Sequence, residues 1–119
     1  MRVFFLVRAV ISIVALAGAG AALGHHGWTG YDEERTLKLT GAVRAPRYEQ
    51  PHGVIRLETP GKTWTVVLAP PTRMQARGLA EEALAPGAQA TVVGYPHLQK
   101  EDELRAERIT IAGKTIELR

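Results

Sequence analysis

Cysteine is absent from this 119-residue chain. The protein therefore cannot form disulfide bonds or carry a lipid-modified N-terminal cysteine, and its stability must come from burial alone. A charge excess is also missing. The whole chain carries +3, but once Arg2 and Arg8 leave with the leader described below, 13 basic residues face 12 acidic ones. This balance argues against nucleic acid as a partner, because nucleic-acid binding depends on many phosphate contacts.

Recognisable catalytic motifs are missing as well. No Ser-His-Asp or Cys-His set, no His-Glu-x-x-His and no glycine-rich phosphate loop can be picked out. The acidic runs Glu81-Glu82 and Glu101-Asp102-Glu103 are typical of solvated faces. A copper oxygenase could use an N-terminal histidine, but it would need a broader substrate surface than a small domain offers. We therefore predict no catalytic residues and a protein that is not an enzyme.

The first 24 residues are predicted to be a secretory signal peptide. Positive charge at Arg2 and Arg8 precedes an uncharged apolar stretch, 9–23, that ends in small residues. This order is typical of a cleaved signal. A membrane anchor is the alternative, but a span needs about 20 apolar residues without an internal arginine. We expect cleavage between Ala19 and Gly24, which gives a soluble periplasmic protein without a stable membrane anchor.

Two adjacent histidines, His25 and His26, follow the leader directly. Cleavage after Ala22 would place His25 third in a free N-terminus, where the amine, two amide nitrogens and the imidazole can surround square-planar Cu(II) or Ni(II). Cleavage after Gly24 would make His25 the first residue, so that its amine and ring could chelate one metal. Imidazole suits copper, zinc, nickel and iron. The pair therefore indicates metal binding outside the cytoplasm.

Most of the remaining chain shows alternation of apolar and polar residues, the pattern of half-buried strands. An irregular arm over 25–35 comes first, and strand segments follow it. A Pro60-Gly61 turn joins the second and third of them as a hairpin. Thr72 is a candidate cap for a short helix over 73–77. The predicted core residues are Leu37, Leu39, Val43, Ile55, Leu57, Trp64, Val66, Leu68, Val92 and Ile109.

Three strands, a short helix and two more strands is the order of an OB-type barrel. We predict a mainly β chain with a signal peptide at 1–24, which forms an N-terminal signal helix, and an arm at 25–35. A small five-stranded OB-like barrel follows at 36–119, with one short helix between strands 3 and 4. Closure suits a chain of this length because it removes most exposed edges without disulfides. The alternative is another small open barrel or sandwich built from the same strands.

Several short motifs occur in one order along the chain. They are His25-His26-Gly27-Trp28, Leu39-Thr40-Gly41, Glu49-Gln50-Pro51-His52, Leu68-Ala69-Pro70-Pro71, Arg77-Gly78-Leu79, Pro86-Gly87 and Val92-Val93-Gly94-Tyr95. As a set they resemble a family of small exported bacterial proteins of unknown function. Members of that family typically have the sequence His-His-Ser after the signal peptide and Asn-Pro-His after the first strand. This chain has Gly27 in place of the serine and Gln50 in place of the asparagine. The resemblance implies an exported single barrel and no particular activity.

The hypothesis that this protein binds a metal rests on its histidines. His52 follows Pro51 at the start of the second strand, and the alternation places it outside the core with Val54, within reach of the arm. Three imidazoles and an amine would suit copper, or Zn(II) with water as the last ligand. We predict a periplasmic copper-binding accessory protein with zinc as the alternative metal. Its metal ligands are His25, His26 and His52, and His97 is a weaker fourth candidate in a polar loop.

The competing hypothesis is a metal-free module of the cell envelope. OB barrels bind oligonucleotides or oligosaccharides through one strand face. In an exported, near-neutral protein the partner would be a peptide, a sugar or an envelope protein. His25 and His26 would then be a solvated chain end, and His52 a turn residue that makes a hydrogen bond. The oligomeric state is left open by the sequence.

Overall fold

The computed structural model of the protein describes residues 27–119. The predicted signal helix, its cleavage site, His25 and His26 lie outside the described residues. The described part contains six strands, with helix α1 (Pro71–Ala76) and a 3₁₀ helix (Glu81–Leu84) between the third and the fourth. The strands are β1 (Leu37–Arg47), β2 (Val54–Thr59), β3 (Lys62–Val67), β4 (Gln89–Pro96), β5 (Glu103–Ile111) and β6 (Lys114–Glu117). Within 27–119, no helix has the length and apolar character needed to cross a membrane.

The first five strands close into a barrel. Strand β1 pairs with β2 and β4, β2 pairs with β3, and β4 pairs with β5, all antiparallel. A parallel pairing of β3 with β5 completes the circle, with Thr65 opposite Glu103 and Val67 opposite Arg105. The structure thus confirms the predicted fold, a mainly β chain with a five-stranded OB-like barrel and a short helix between strands 3 and 4.

Two glycines allow the barrel strands to approach each other closely. A Cβ atom on Gly41 in β1 would lie 2.2 Å from the carbonyl oxygen of Glu58, and one on Gly94 in β4 would lie 2.1 Å from that of Arg105. Both distances are too short for any side chain, so only glycine fits. The ladder between β4 and β5 also shifts register between Val93 and Gly94, as at a bulge that bends a strand.

Inward-facing side chains on alternate strand positions fill the barrel. The residues that were predicted to be core and are fully buried are Val43, Ile55, Leu57, Val66, Leu68, Val92 and Ile109. The prediction is wrong for Leu37, Leu39 and Trp64, which are half-buried and pack against the edge of this core.

Leu37, Leu39 and Trp64 are only half-buried because each lies where its strand has a neighbouring strand on one side only. Residues Leu37 and Leu39 belong to the part of β1 that pairs with β4 and does not reach β2. Trp64 pairs with Leu57, but β5 joins β3 only from Thr65 onward. Each of these side chains therefore has a strand on one side only, which leaves part of it open to solvent.

Helix α1 and the 3₁₀ helix pack against the barrel through Met74 and Leu84, both buried. The predicted helix cap at Thr72 is wrong. Pro70 holds the cap position and Pro71 is the first helical residue, with no side chain as a cap. Proline fits that position because the first helical residue needs no N–H partner and its φ is already helical. The helix therefore begins one residue earlier than Thr72.

Strand β6 extends the sheet beyond the barrel. A two-residue turn, Ala112-Gly113, joins it to β5, and both turn residues have positive φ, 51° and 77°. The outer edge of β6 is covered near its end. There Nη1 of Arg77, at the C-terminus of α1, donates hydrogen bonds to the carbonyls of Glu117 and Arg119 at 2.9 and 3.1 Å.

Candidate functional site

The arm that precedes the barrel is docked on its outer surface. Trp28 is buried, with 7% of its surface exposed. Two guanidiniums contact its ring, since Cζ of Arg105 is 4.4 Å and Cζ of Arg119 is 4.2 Å from the ring centroid. Tyr95 of β4 contacts the same ring edge-to-face, with 6.0 Å between centroids. The indole is therefore held by two cation–π contacts and one aromatic contact.

A second contact fixes the arm a few residues later. Tyr31 forms a β-bridge with His97, and the backbone N–H of Asp32 donates to the carbonyl of Pro96 at 2.8 Å. The hydroxyl of Tyr31 donates to the carboxylate of Glu103. Burial, followed by this hydrogen bond, raises the pKa of Tyr31, so the phenol stays a neutral donor. The arm is thus anchored both at Trp28 and at Tyr31.

Arg105 connects the arm with His52. This side chain projects from β5 and is buried, with only 6% of the residue exposed. Its Nη1 donates to the carbonyl of Gly27, and its Nη2 lies 3.1 Å from Nε2 of His52. One guanidinium therefore holds the first described residue of the arm beside His52. Its Nε atom is buried without a hydrogen-bond partner in the described chain.

The contact with Arg105 determines the protonation of His52. A guanidinium can only donate, so Nε2 of His52 accepts and the neutral ring carries its proton on Nδ1. Desolvation by burial, followed by the charges of Arg105 and Arg73, lowers the pKa of His52. The neutral form is the one that binds metals. Its single lone pair is engaged by Arg105, however, so a metal can bind His52 only after this hydrogen bond breaks.

A surface pocket of about 270 Å³ opens beside the ring of His52. Val54 and Val67 contribute apolar wall, and Arg47 and Glu49 contribute charge. His52 is half-buried on the same outer face as Val54, whereas Ile55 points into the core. The ring is therefore accessible to a ligand from solvent while its other side contacts Arg105.

His97, the weaker candidate ligand, has a different place. Its Nδ1 accepts the backbone N–H groups of Gln99 and Lys100 at 3.0 and 3.1 Å, and its ring contacts Tyr31 edge-to-face at 5.0 Å between centroids. The lone pair on Nδ1 of His97 thus accepts hydrogen bonds that stabilise the loop between β4 and β5.

Of the three principal metal ligands that the sequence predicts, His52 falls within the described residues. Among residues 27–119, no three His, Cys, Asp or Glu side chains gather in a way that could hold a metal ion. The structure therefore places His52 and its neighbours, while His25 and His26 lie outside the part that it describes.

Sequence reasoning missed Arg105 and the role of Trp28. In the sequence Arg105 is simply an arginine between Leu104 and Ala106, which are both buried near the start of β5. A charged residue on the outer face of a strand is ordinarily solvated, so nothing in the pattern marked this one as buried. Its burial results from the arm, which covers it through Gly27 and Trp28.

Comparisons with known proteins identify a family and give distant structural likenesses. No curated protein matches the sequence. The solved structure of TiaS in complex with a tRNA and ATP is 24% identical over 71% of this chain, with a TM-score of 0.47. A ZRD-deleted mutant of TiaS in complex with agmatine is 25% identical over 71% of this chain, with a TM-score of 0.49. This chain covers 19% and 24% of those two chains, so the likenesses do not extend to activity.

The family model matches residues 12–104, which is most of the chain. Its match runs from the predicted leader through the arm and the barrel as far as the start of β5. The chain therefore belongs to DUF6152, a family of unknown function.

Proposed function

We propose that this protein is an exported metal-binding accessory protein, with copper as the preferred ion and zinc as the alternative. His25 and His26 supply the principal ligands, and His52 completes the site. The observation that carries the proposal is the shared contact of Arg105, whose guanidinium reaches both the carbonyl of Gly27 and the ring of His52.

In the sequence, the histidine pair directly precedes Gly27, the residue that Arg105 holds. Consecutive Cα atoms are about 3.8 Å apart, so His26 is attached one residue before Gly27 and His25 two residues before it. Gly27 and His52 both contact the guanidinium of Arg105. Cleavage close to Gly24 adds the free amine as a further nitrogen ligand. Imidazole and amine nitrogens suit Cu(II), and Zn(II) accepts the same imidazoles.

Metal binding at His52 involves an exchange with Arg105. The hydrogen bond to Arg105 occupies the lone pair that the metal needs. A guanidinium about 5 Å from a bound cation would also be repelled by about 3 kcal/mol per unit of metal charge at an effective dielectric constant near 20. We expect Arg105 to turn away from His52 on metal loading and to keep its contacts with Gly27 and Trp28.

Titration with Cu(II) tests the proposal, provided that the protein has its native, untagged N-terminus. We expect 1:1 binding that is micromolar or tighter, and that weakens roughly tenfold or more in each of His25→Ala, His26→Ala and His52→Ala. The matched control is His97→Ala, which removes the one histidine outside the proposed ligand set and should leave the affinity unchanged.

Two other outcomes would change the conclusion. An affinity that falls with His25→Ala but not with His52→Ala would describe an N-terminal chelate that does not involve the barrel. Binding no tighter than that of an unrelated histidine-containing peptide would leave the metal-free envelope module as the function.

The proposal that the protein is exported and its signal peptide cleaved is tested separately. Intact mass or N-terminal sequencing of the protein from the envelope fraction should show a new N-terminus after a residue between Ala19 and Gly24. An uncleaved chain in the membrane pellet would remove the free amine from the ligand set and would contradict a soluble periplasmic protein.

A further inference from the structure

A groove beside β3 forms where that strand parts from β5. The two strands pair from Thr65 onward, so the Lys62–Trp64 end of β3 has no β5 neighbour. The loop between β4 and β5 lies along this end instead, and Nζ of Lys62 donates to the carbonyl of Glu101 at 2.7 Å. The resulting space measures about 320 Å³ and is called the β3 groove below.

Two large apolar side chains line the β3 groove. Trp64 is half-buried, and Leu98 lies in the loop between β4 and β5 with 60% of its surface exposed. Leu98 is the large hydrophobic residue that the described chain leaves exposed. An apolar surface of this kind loses contact with water when an apolar partner covers it, which favours binding.

The loop that carries Leu98 is held in place. The N–H of Leu98 donates to the carbonyl of Gly30 at 2.9 Å, and the N–H of His97 donates to that of Glu103 at 2.9 Å. The imidazole of His97 accepts two more backbone N–H groups within the same loop. These hydrogen bonds keep Leu98 outside the core, so the groove is already formed before a ligand arrives and little ordering entropy is lost on binding.

The charge around the β3 groove is positive. Arg35, Lys62 and Lys100 line it together with a single acidic residue, Glu101. Within residues 27–119, neither Arg35 nor Lys62 has a carboxylate partner, whereas Lys100 lies 3.6 Å from Glu103. Lys62 instead lies over the ring of Trp64, 4.0 Å from its centroid. Two cations of the groove thus have no carboxylate partner among residues 27–119 and can pair with an anionic ligand.

We propose that the β3 groove binds an acidic peptide segment of a partner protein. A bulky apolar residue of that segment packs against Leu98 and Trp64, and its carboxylates pair with Arg35 and Lys62. A sugar fits less well, because the exposed side chain of Leu98 offers no hydrogen bond to a hydroxyl. Three cations are also too few for the phosphate contacts that support nucleic-acid binding. The proposal is independent of the metal site.

The test uses ¹⁵N-labelled protein in EDTA and the capped probe peptide acetyl-Asp-Glu-Asp-Phe-Asp-Glu-Asp-amide. We expect chemical-shift changes at the indole N–H of Trp64 and the amide of Leu98, with weaker binding as salt increases. Replacing Phe by Ser in the probe, or its acids by Asn and Gln, should weaken binding. Arg35→Gln and Lys62→Gln should each weaken it roughly two- to fivefold, and Leu98→Ser about tenfold.

Lys38→Gln is the matched control, since Lys38 is an exposed cation on β1 that does not line the β3 groove. If Lys38→Gln and Lys62→Gln weaken binding of the probe equally, binding depends only on the overall charge of the protein, and the proposal is overturned. Absence of shifts at Trp64 and Leu98 with millimolar probe would also overturn it. Shifts at the same residues with an anionic oligosaccharide, but not with the peptide, would assign the groove to a glycan instead.

Discussion

Nη2 of Arg105 lies 3.1 Å from Nε2 of His52, so a buried cation holds the imidazole in its neutral, accepting form. The same guanidinium donates to the carbonyl of Gly27, so Arg105 joins the arm to His52, two residues before β2. Any change in the charge or position of His52 is therefore expected to reach the arm.

The first prediction concerns pH. In the unfolded chain His52 titrates near pH 6.5, whereas burial and the charges of Arg105 and Arg73 lower its pKa in the folded protein. Just below pH 6.5 the unfolded state thus binds more protons, so stability is retained above that pH and is lost as the pH falls towards the folded pKa. Urea unfolding of metal-free protein should show this loss. His52→Gln, which can still accept from Arg105, should show a shallower slope, and equal slopes would contradict the coupling.

The second prediction concerns the docked arm. Trp28→Ala should lower the free energy of unfolding by about 3 kcal/mol, because it removes a buried aromatic ring and two cation–π contacts. Thr29→Ala, at an exposed neighbour, should change it by about 0.5 kcal/mol or less. Chemical denaturation of both variants measures the difference. Similar stabilities would mean that the arm contributes nothing to the fold.

The third prediction compares two glycines, one where a Cβ atom would clash with the neighbouring strand and one where only the positive φ disfavours a side chain. Gly94→Ala should cost more than about 4 kcal/mol or prevent folding, because its Cβ would lie 2.1 Å from a carbonyl oxygen. Gly61→Ala should cost only about 1 to 2 kcal/mol, since its φ is positive but nothing lies within 4 Å of its Cβ. Thermal unfolding of the two variants gives the order. The opposite order would refute the close strand contact at Gly94.

The fourth prediction is a stabilising change. Ala112 has a φ of 51°, and the following Gly113 has a φ of 77°, which is the conformation of a type I′ hairpin turn. Asparagine tolerates this conformation better than alanine, so Ala112→Asn should raise the stability by about 0.5 to 1 kcal/mol. Ala85→Asn serves as the control, because Ala85 is exposed and has a φ of −68°. A gain of equal size at both positions would exclude the turn as its cause.

Alternation along the chain predicted the strands, because most strands have one buried and one open face, and their order around a short helix predicted the barrel. The prediction that His52 lies outside the core followed from the same alternation, and His52 is half-buried and not part of the core cluster. The docking of Trp28 could not be predicted in this way. Its cationic partners, Arg105 and Arg119, are far away in the chain, and contacts between aromatic and charged side chains leave no periodic pattern. The partial exposure of Trp64 likewise depends on where β5 begins, which the residues of β3 do not encode.

The hydrogen bonds from Arg77 to the carbonyls of Glu117 and Arg119 have a consequence for self-association. A free strand edge offers its backbone groups to a second molecule, and proteins commonly block such edges with charged side chains. Arg77 does so at the end of β6, where the barrel itself provides no neighbour. A chain without this arginine would keep its core intact, and its defect would show as concentration-dependent aggregation while the melting temperature of the isolated molecule stayed nearly the same.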